Sequence, residues 1–382
     1  MLGDAVRAGA SDVHVEPQRD GLRIRYRIDG VLRDVMTVPR SAGPGMVSRL
    51  KIMSGIDISE RRVPQDGRTR IVIDDHTLDA RVSTLPAIHG EKVVIRLLNV
   101  SHEVPTLEGL GLLPQQLSPL RAALHRSQGL VLITGPTGSG KTNTLYAAID
   151  EVITPERNVV TLEDPVEVQL AGITQVQVNE RAGMTFAAGL RAVLRQDPDV
   201  VLVGEIRDKE TAELALRAAL TGHLVLSTLH TNSATQAVTR LLDMGIPHYL
   251  VMSSLELVVA QRLVRTSCAA CPESYRPDED LLDELALTTK DLDGAAPRRG
   301  NGCLECGNTG YRGRTGVFEL LQITGESRRA YATNPTESSL SDSDAARRAP
   351  SLRDAGLAAA ATGRTTYEEV LRVTYTDAYR DA

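Results

Sequence analysis

Leu22, Ile24, Tyr26 and Ile28 alternate with Arg23, Arg25, Arg27 and Asp29, which is the two-residue period of a strand with one face in a core and the other in water. Asp29-Gly30 supplies the turn that follows, so the pattern predicts a hairpin with a basic face. A helix-like stretch around Met46 to Ile56 comes next, then Arg70-Ile-Val-Ile, a turn near Asp74-Asp75, and strand-like runs at Leu78 to Leu85 and Lys92 to Leu98. Residues 1–98 therefore read as a small α+β domain. Leu2 to Gly9 read as the end of a helix whose beginning is missing, as in a piece of something longer. The prolines and glycines of residues 99–119 predict a linker.

From Gly129 the pattern changes. Short apolar runs at Leu130 to Thr134, Val159 to Glu163, Val200 to Val203 and Leu224 to Thr228 are separated by helical stretches up to about Arg265. Apolar strands alternating with helices predict an α/β domain, residues 120–265, with a parallel sheet covered on both faces. Residues 266–320 hold two cysteine pairs and an acidic insert, Pro277 to Gly294. Residues 321–382 read as a helical C-terminal region whose Ser/Asp/Thr-rich centre, Thr333 to Ala349, lacks a core pattern.

Composition narrows the classes. With 382 residues, 42% hydrophobic and 24% charged, this is an ordinary globular chain of two or three domains. Four cysteines are too few for a disulfide framework. There is no Trp, two Phe and nine Tyr, so the cores must be built from Leu, Val, Ile and Ala. A net charge of -6 argues against a protein that coats nucleic acid. No run reaches the length of a membrane span, and the start, MLGDAVRAGASD, lacks the basic flank and apolar stretch of a signal peptide. The expectation is a cytosolic chain with reduced thiols.

GPTGSGKT, Gly135 to Thr142, fits the pattern G-x-x-x-x-G-K-[ST] between an apolar strand and a helical run from Asn143, where a phosphate loop must stand. Gly135, Gly138 and Gly140 let backbone N–H groups wrap phosphate oxygens, and Lys141 reaches the outer phosphates. The Thr142 hydroxyl suits Mg²⁺. Pro136, Thr137, Ser139 and Asn143 complete the expected ATP-binding set. The chemistry then depends on which polar groups end the neighbouring strands. Asp199 to Glu205, Glu163-Asp164 and Ser227 to Asn232 each carry an apolar strand into polar residues, at the edge where open α/β sheets bind ligands. Glu205 is assigned to orient or deprotonate water, Glu163 to partner it around the metal, and His230 to sense the γ-phosphate.

Cys268-Ala-Ala-Cys271 and Cys303-Leu-Glu-Cys306, 31 residues apart, have the two-knuckle spacing of a tetrahedral Zn²⁺ site. Four thiolates leave no open position, so the metal would be structural. A redox pair and four unrelated thiols are the alternatives; no thioredoxin-like surroundings favour the first.

SDVHVEP, RYRIDGVL, RRVPQDGR, ARVSTLP, GPTGSGKT, LEDPVE, LRQDPDVVLVGEIRD, TGHLVLSTLHTN, AQRLVR, the four cysteines and GYRGRTGVFELL together resemble the secretion and pilus-assembly ATPases. MTFAAGLRAVLRQDP and NSATQAVTRLLDMGI are most similar to the type II secretion ATPase. The resemblance implies a RecA-like motor domain preceded by a PAS-like domain, a homo-hexamer, and partners in the inner membrane of a bacterium approached from the cytoplasm: the cytoplasmic domain of a docking protein and the polytopic platform protein. It implies that LEDPVE is an aspartate box, DPDVVLVGEIRD a Walker B segment, and TGHLVLSTLHTN a histidine box, which adds His223. It also places Arg81 and Arg96 as arginines that approach nucleotide, and Arg195 and Arg207 at the nucleotide or a subunit interface. The N-terminal docking domain usual in the secretion branch has no counterpart here, and Thr324 to Ala349 matches the family's small helices poorly. Competing readings are a pilus-extension ATPase, a RecA-like nucleic-acid motor, for which stacking aromatics are scarce, and a non-hydrolysing scaffold.

Overall fold

The computed structural model describes residues 1–73, 76–98, 104–292, 294–333, 336, 339–340 and 349–378. The turn expected at Asp74-Asp75, and most of the centre of the C-terminal region, lie outside the described residues. The chain forms two compact units, Met1–Glu103 and Val104–Ala382.

In the first unit a helix, Leu2–Arg7, precedes β1 (Ala10–Pro17), β2 (Gly21–Ile28) and β3 (Val31–Pro39); a helix, Gly43–Met53, then leads to β4 (Gln65–Ile73), β5 (His76–Ala87) and β6 (Gly90–Leu98). The sheet order is β3-β2-β1-β6-β5-β4, antiparallel throughout. Asp29 and Gly30 both take positive φ, the requirement of a two-residue turn whose twist matches the strands. Leu22, Ile24 and Tyr26 are buried as their alternation requires. Their basic counterparts are not a cationic surface. Arg25 pairs with Glu16 at 2.8 Å and Arg27 with Asp12 at 3.7 Å, while Arg23 pairs with Asp34. The acids come from β1 and β3, so cross-strand register neutralises a face that one strand alone makes look basic.

The second unit carries a sheet of order β15-β12-β7-β11-β10-β8-β9. Its strands are β7 (Gly129–Thr134), β8 (Val159–Glu163), β9 (Thr174–Gln177), β10 (Val200–Val203), β11 (Leu224–Leu229), β12 (Leu255–Ser267) and β15 (Tyr311–Gln322), with β13 (Pro272–Ser274) and β14 (Arg298–Gly300) paired separately. From β12 to β9 the ladder is parallel, and β15 runs antiparallel to β12. This is the expected α/β architecture. Two cores sandwich the sheet: Leu130, Leu132, Leu162, Val201 and Val203 face one, and Val131, Ile133, Val159, Val200 and Leu202 face the other. Alternation therefore decides which layer of helices each side chain meets, and not whether it meets water.

Two boundaries differ from the sequence reading. Residues 104–119 are not a free linker. Leu107, Leu110 and Leu112 are buried in the core that also receives Leu120 and Leu124 from the helix Pro114–Leu124; Pro114 opens that helix, where its missing N–H costs nothing. The cysteine region and the C-terminal helices Gly325–Thr333, Leu352–Ala361 and Tyr367–Ala378 belong to the same compact unit as the main sheet, because β15 returns from the cysteines to pair with β12. No described helix is long and apolar enough to cross a membrane.

Candidate active site

β7 ends at Thr134, and the chain then turns through Gly135, Gly138 and Gly140, all at positive φ, into the helix Lys141–Val152. A Cβ on Gly135 would sit 2.4 Å from the Gln261 carbonyl oxygen, and one on Gly140 2.9 Å from Gln261 Nε2. Only glycine lets the loop curl this tightly against β12. Pro136, Thr137, Gly138, Thr142 and Asn143 are exposed along the loop and first helical turn, whereas Ser139 is buried. Among the described residues the Ser139 hydroxyl is buried without a hydrogen-bond partner, a polar atom within the cradle. The loop offers backbone amides, a helix N-terminus and a lysine, the donor set that suits a polyphosphate.

Lys141 Nζ donates to the carbonyls of Gly135 at 2.8 Å and Pro136 at 3.1 Å. Burial, only partly offset by Glu205, lowers its pKa to about 8. His230 Nδ1 is 3.5 Å from the same Nζ, and His230 Nε2 is 3.4 Å from Glu205 Oε2. Arg207 Nη2 reaches Glu205 Oε1 at 2.5 Å. Lys141, His230, Glu205 and Arg207 thus form one connected group at the carboxyl edge of the sheet.

The backbone fixes each member. The amides on either side of Glu205 bond to the neighbouring strand ends, Gly204 N to Leu162 O at 2.8 Å and Ile206 N to Thr228 O at 3.0 Å. Next to His230, Thr231 N donates to Thr134 Oγ1 at 2.9 Å, and the two threonine hydroxyls are 2.7 Å apart. The histidine is held beside the loop because its neighbour is tied to the residue preceding the loop.

Two residues expected in this group stand elsewhere. Glu163 is 4% exposed, and its carboxylate accepts from Tyr146 OH at 2.5 Å, Thr161 Oγ1 at 2.6 Å and Gln175 Nε2 at 3.1 Å. Burial and then Glu163 raise the Tyr146 pKa, so the phenol keeps its proton and donates. The carboxylate is committed to a buried network, and this corrects its reading as a metal partner. His223 lies at the opposite end of β11: its Nδ1 is 3.1 Å from Ala218 O, and its carbonyl accepts from Gly129 N. The six residues of β11 separate it from His230, on the order of 20 Å. The site of this chain does not include it. Arg195 is exposed and bonds to Arg191 O at 2.8 Å.

The four cysteines form a second centre. All their sulfurs lie within 4.8 Å of one another, with Cys268–Cys303 and Cys271–Cys306 at 3.9 Å and Cys303–Cys306 at 3.7 Å. A regular tetrahedron of Zn–S bonds has edges of about 3.8 Å, so the residues fit the metal, and they are not disulfides. Burial would raise the Cys306 thiol, but N–H groups of Cys303 and Gly310 pull it down, while burial and the neighbouring thiols push Cys271 up, as in a cluster whose sulfurs share protons.

Comparison with known proteins adds to this geometry. Residues 1–372 match the family model described as Type II/IV secretion system protein. The chain belongs to that family. Among relatives, the Type II secretion system ATPase E of Vibrio cholerae is 49% identical over 374 residues, covering 98% of this chain and 74% of the relative. The Type IV pilus assembly ATPase PilB of Thermus thermophilus is 44% identical over 371 residues, 97% of this chain and 42% of the relative. Of solved structures, the Legionella pneumophila ATPase DotB shares the fold, with TM-score 0.68 at 21% identity over 98% of this chain and 94% of that one.

In this secretion-family chain Arg81 and Arg96 are direct neighbours on β5 and β6, and Arg68 of β4 is the register partner of Arg81. Arg96 Nε contacts Asp12 at 3.1 Å. A groove of about 410 Å³ lined by Asp66, Arg68, Arg81, Ser83 and Arg96 runs along them. Three guanidinium groups in register repel one another, an arrangement that an anion relieves. Sequence reading passed over Arg68. It also passed over Gln261 and Tyr146, polar residues inside otherwise apolar runs, which is the signal that could have found them.

Proposed function

We propose that this chain hydrolyses ATP to drive protein export by a type II secretion system. The carrying observation is the convergence of Lys141, His230 and Glu205 on the phosphate loop. Lys141 and the loop amides bind the β- and γ-phosphates. Thr142 would hold Mg²⁺, which supplies charge neutralisation on the phosphates. Glu205, next to the loop with Arg207 on one carboxylate oxygen and His230 3.4 Å from the other, positions and deprotonates the attacking water. His230, touching both Lys141 and Glu205, reports whether the γ-phosphate is present. Arg81 and Arg96 supply positive charge to the transferring phosphoryl group.

The working form is a homo-hexamer acting from the cytoplasm on inner-membrane components; the resemblance of the motifs supports that reading. Four thiolates hold a structural Zn²⁺. Pilus extension is the second reading, favoured by the 44% identity to PilB; the higher identity to the secretion ATPase puts it second.

The test is Mg-ATP turnover and nucleotide binding of Glu205→Gln against the parent. Turnover should fall at least a hundredfold while ATP still binds. Hydrolysis at the parent rate overturns the assignment, and a parent rate that rises strongly with DNA or RNA would favour a nucleic-acid motor.

A further inference from the structure

β12 is the longest strand of the second unit, and it has two halves. Leu255 to Ala260 pair with β7, up to Ala260 opposite Thr134. From Arg262 to Ser267 it pairs only with β15, from Val317 to Tyr311, and it ends beside Cys268. Gln261 stands at the junction, next to where β7 becomes the phosphate loop. It is 1% exposed and spends both ends of its amide on that loop. Nε2 donates to the Ser139 carbonyl at 2.7 Å, and Oε1 accepts from Thr144 Oγ1 at 2.7 Å. Its own carbonyl is the atom that excludes a side chain at Gly135.

A buried primary amide satisfied at both ends is a rigid strut, since either partner lost leaves an orphaned polar group. Holding the Ser139 carbonyl back turns the following peptides, whose N–H groups of Gly140 and Lys141 face the phosphate side of such a loop. Thr144, one turn into the helix, is 0% exposed and bonded to the same amide. Loop and helix are therefore clamped from one point, and that point lies on the strand that carries the cysteine centre.

We propose that Gln261 is a positioning residue for the ATP phosphates: it sets the shape of the phosphate loop and transmits to it the position of the β12–β15 arm. This rests on the ATPase reading. In Gln261→Glu the carboxylate still accepts from Thr144 but cannot donate to Ser139 and repels its carbonyl. The dissociation constant for Mg-ATP should rise about tenfold, the effect of one lost buried hydrogen bond. Thr144→Val, which leaves the Ser139 bond intact, should give a smaller rise in the same direction. The double variant should fall short of the product of the two, because both substitutions break one clamp.

The readout that separates positioning from mere structure is amide hydrogen exchange by mass spectrometry. Loop peptides spanning residues 136–142 should exchange faster in Gln261→Glu, while β12–β15 peptides exchange as in the parent. Equal dissociation constants and equal loop exchange in parent and Gln261→Glu overturn the proposal. So does a variant that loses protection across β12–β15 together with the loop, for then Gln261 only holds the fold. A parent that binds no ATP refutes the ATPase reading itself, a result distinguishable from either.

Discussion

Tyr146→Phe tests whether Glu163 is held by structure or kept for chemistry. The ring is 2% exposed and keeps its volume in Phe, so no cavity term enters. What is lost is the 2.5 Å bond to the Glu163 carboxylate and an acceptor for the amides of Glu167 and Val168, at 3.2 and 3.4 Å. A hydrogen bond to a charged group is worth about 1.5–3 kcal/mol, and the two longer contacts add little, so a loss of about 2–3 kcal/mol is expected. For a unit of this size that is a fall in melting temperature of roughly 3–6 °C. Glu163 keeps Thr161 and Gln175, so the variant should fold. Calorimetry measures the shift, and turnover at low temperature should stay within about threefold of the parent, because no group touching phosphate is removed. A shift under 1 °C, or a loss of turnover in a variant that melts like the parent, would refute the reasoning and return Glu163 to the reaction.

Three further outcomes follow from the geometry. Lys141, with its pKa lowered to about 8, loses its charge as pH rises through 8; Mg-ATP affinity measured by titration calorimetry should be flat below pH 7 and fall up to about tenfold by pH 9, with proton uptake on binding near pH 8. The lowered value also means that the unfolded chain binds the proton more tightly, so the lysine costs stability below pH 8 and that cost fades between pH 8 and its ordinary value near 10.5. Chelation, or Cys303→Ser, should release one Zn²⁺ per chain and lower the melting temperature of the second unit; metal analysis finding far less than one Zn²⁺ in the reduced parent would remove the site. Arg96→Ala should cut turnover by at least tenfold, given the value of a guanidinium on a transferring phosphate, with a limited loss of stability because Arg27 stays within 3.7 Å of the Asp12 that loses its Arg96 partner; parental activity would end its assigned role.

The parts that were legible in the sequence are those where adjacent residues carry the whole signal. The four apolar runs of the parallel sheet and the glycine loop are local facts. β12 was harder, since Glu256, Gln261, Arg262 and Arg265 interrupt its apolar run and each finds its partner far along the chain: Arg265 meets the buried Glu369 at 2.7 Å. The hairpin of β2 and β3 is readable from Asp29-Gly30, but its neutral charge is not, because Asp12 and Glu16 come from another strand. His223 and His230 share one motif, yet a parallel strand puts its two ends on opposite edges of the sheet. Glu163 reads as catalytic beside Asp164; only the fold brings Tyr146 and Gln175 onto its oxygens.

The cysteine centre also bears on how the second unit assembles. β12 and β15 make the most extended antiparallel pairing of the main sheet, and a long excursion separates them, so their first contact is a costly loop closure. Cys268 directly follows Ser267, and Cys306 lies just before the Gly310 carbonyl that accepts from Cys268 N at 2.8 Å. Four thiolates gathered on one ion would close that excursion at the place where Ser267 meets Tyr311. Pairing would then run on from the clasp towards Gln322 one rung at a time, as in a short hairpin, and forming the edge strand of the sheet would be a fast local event instead of a slow distant one.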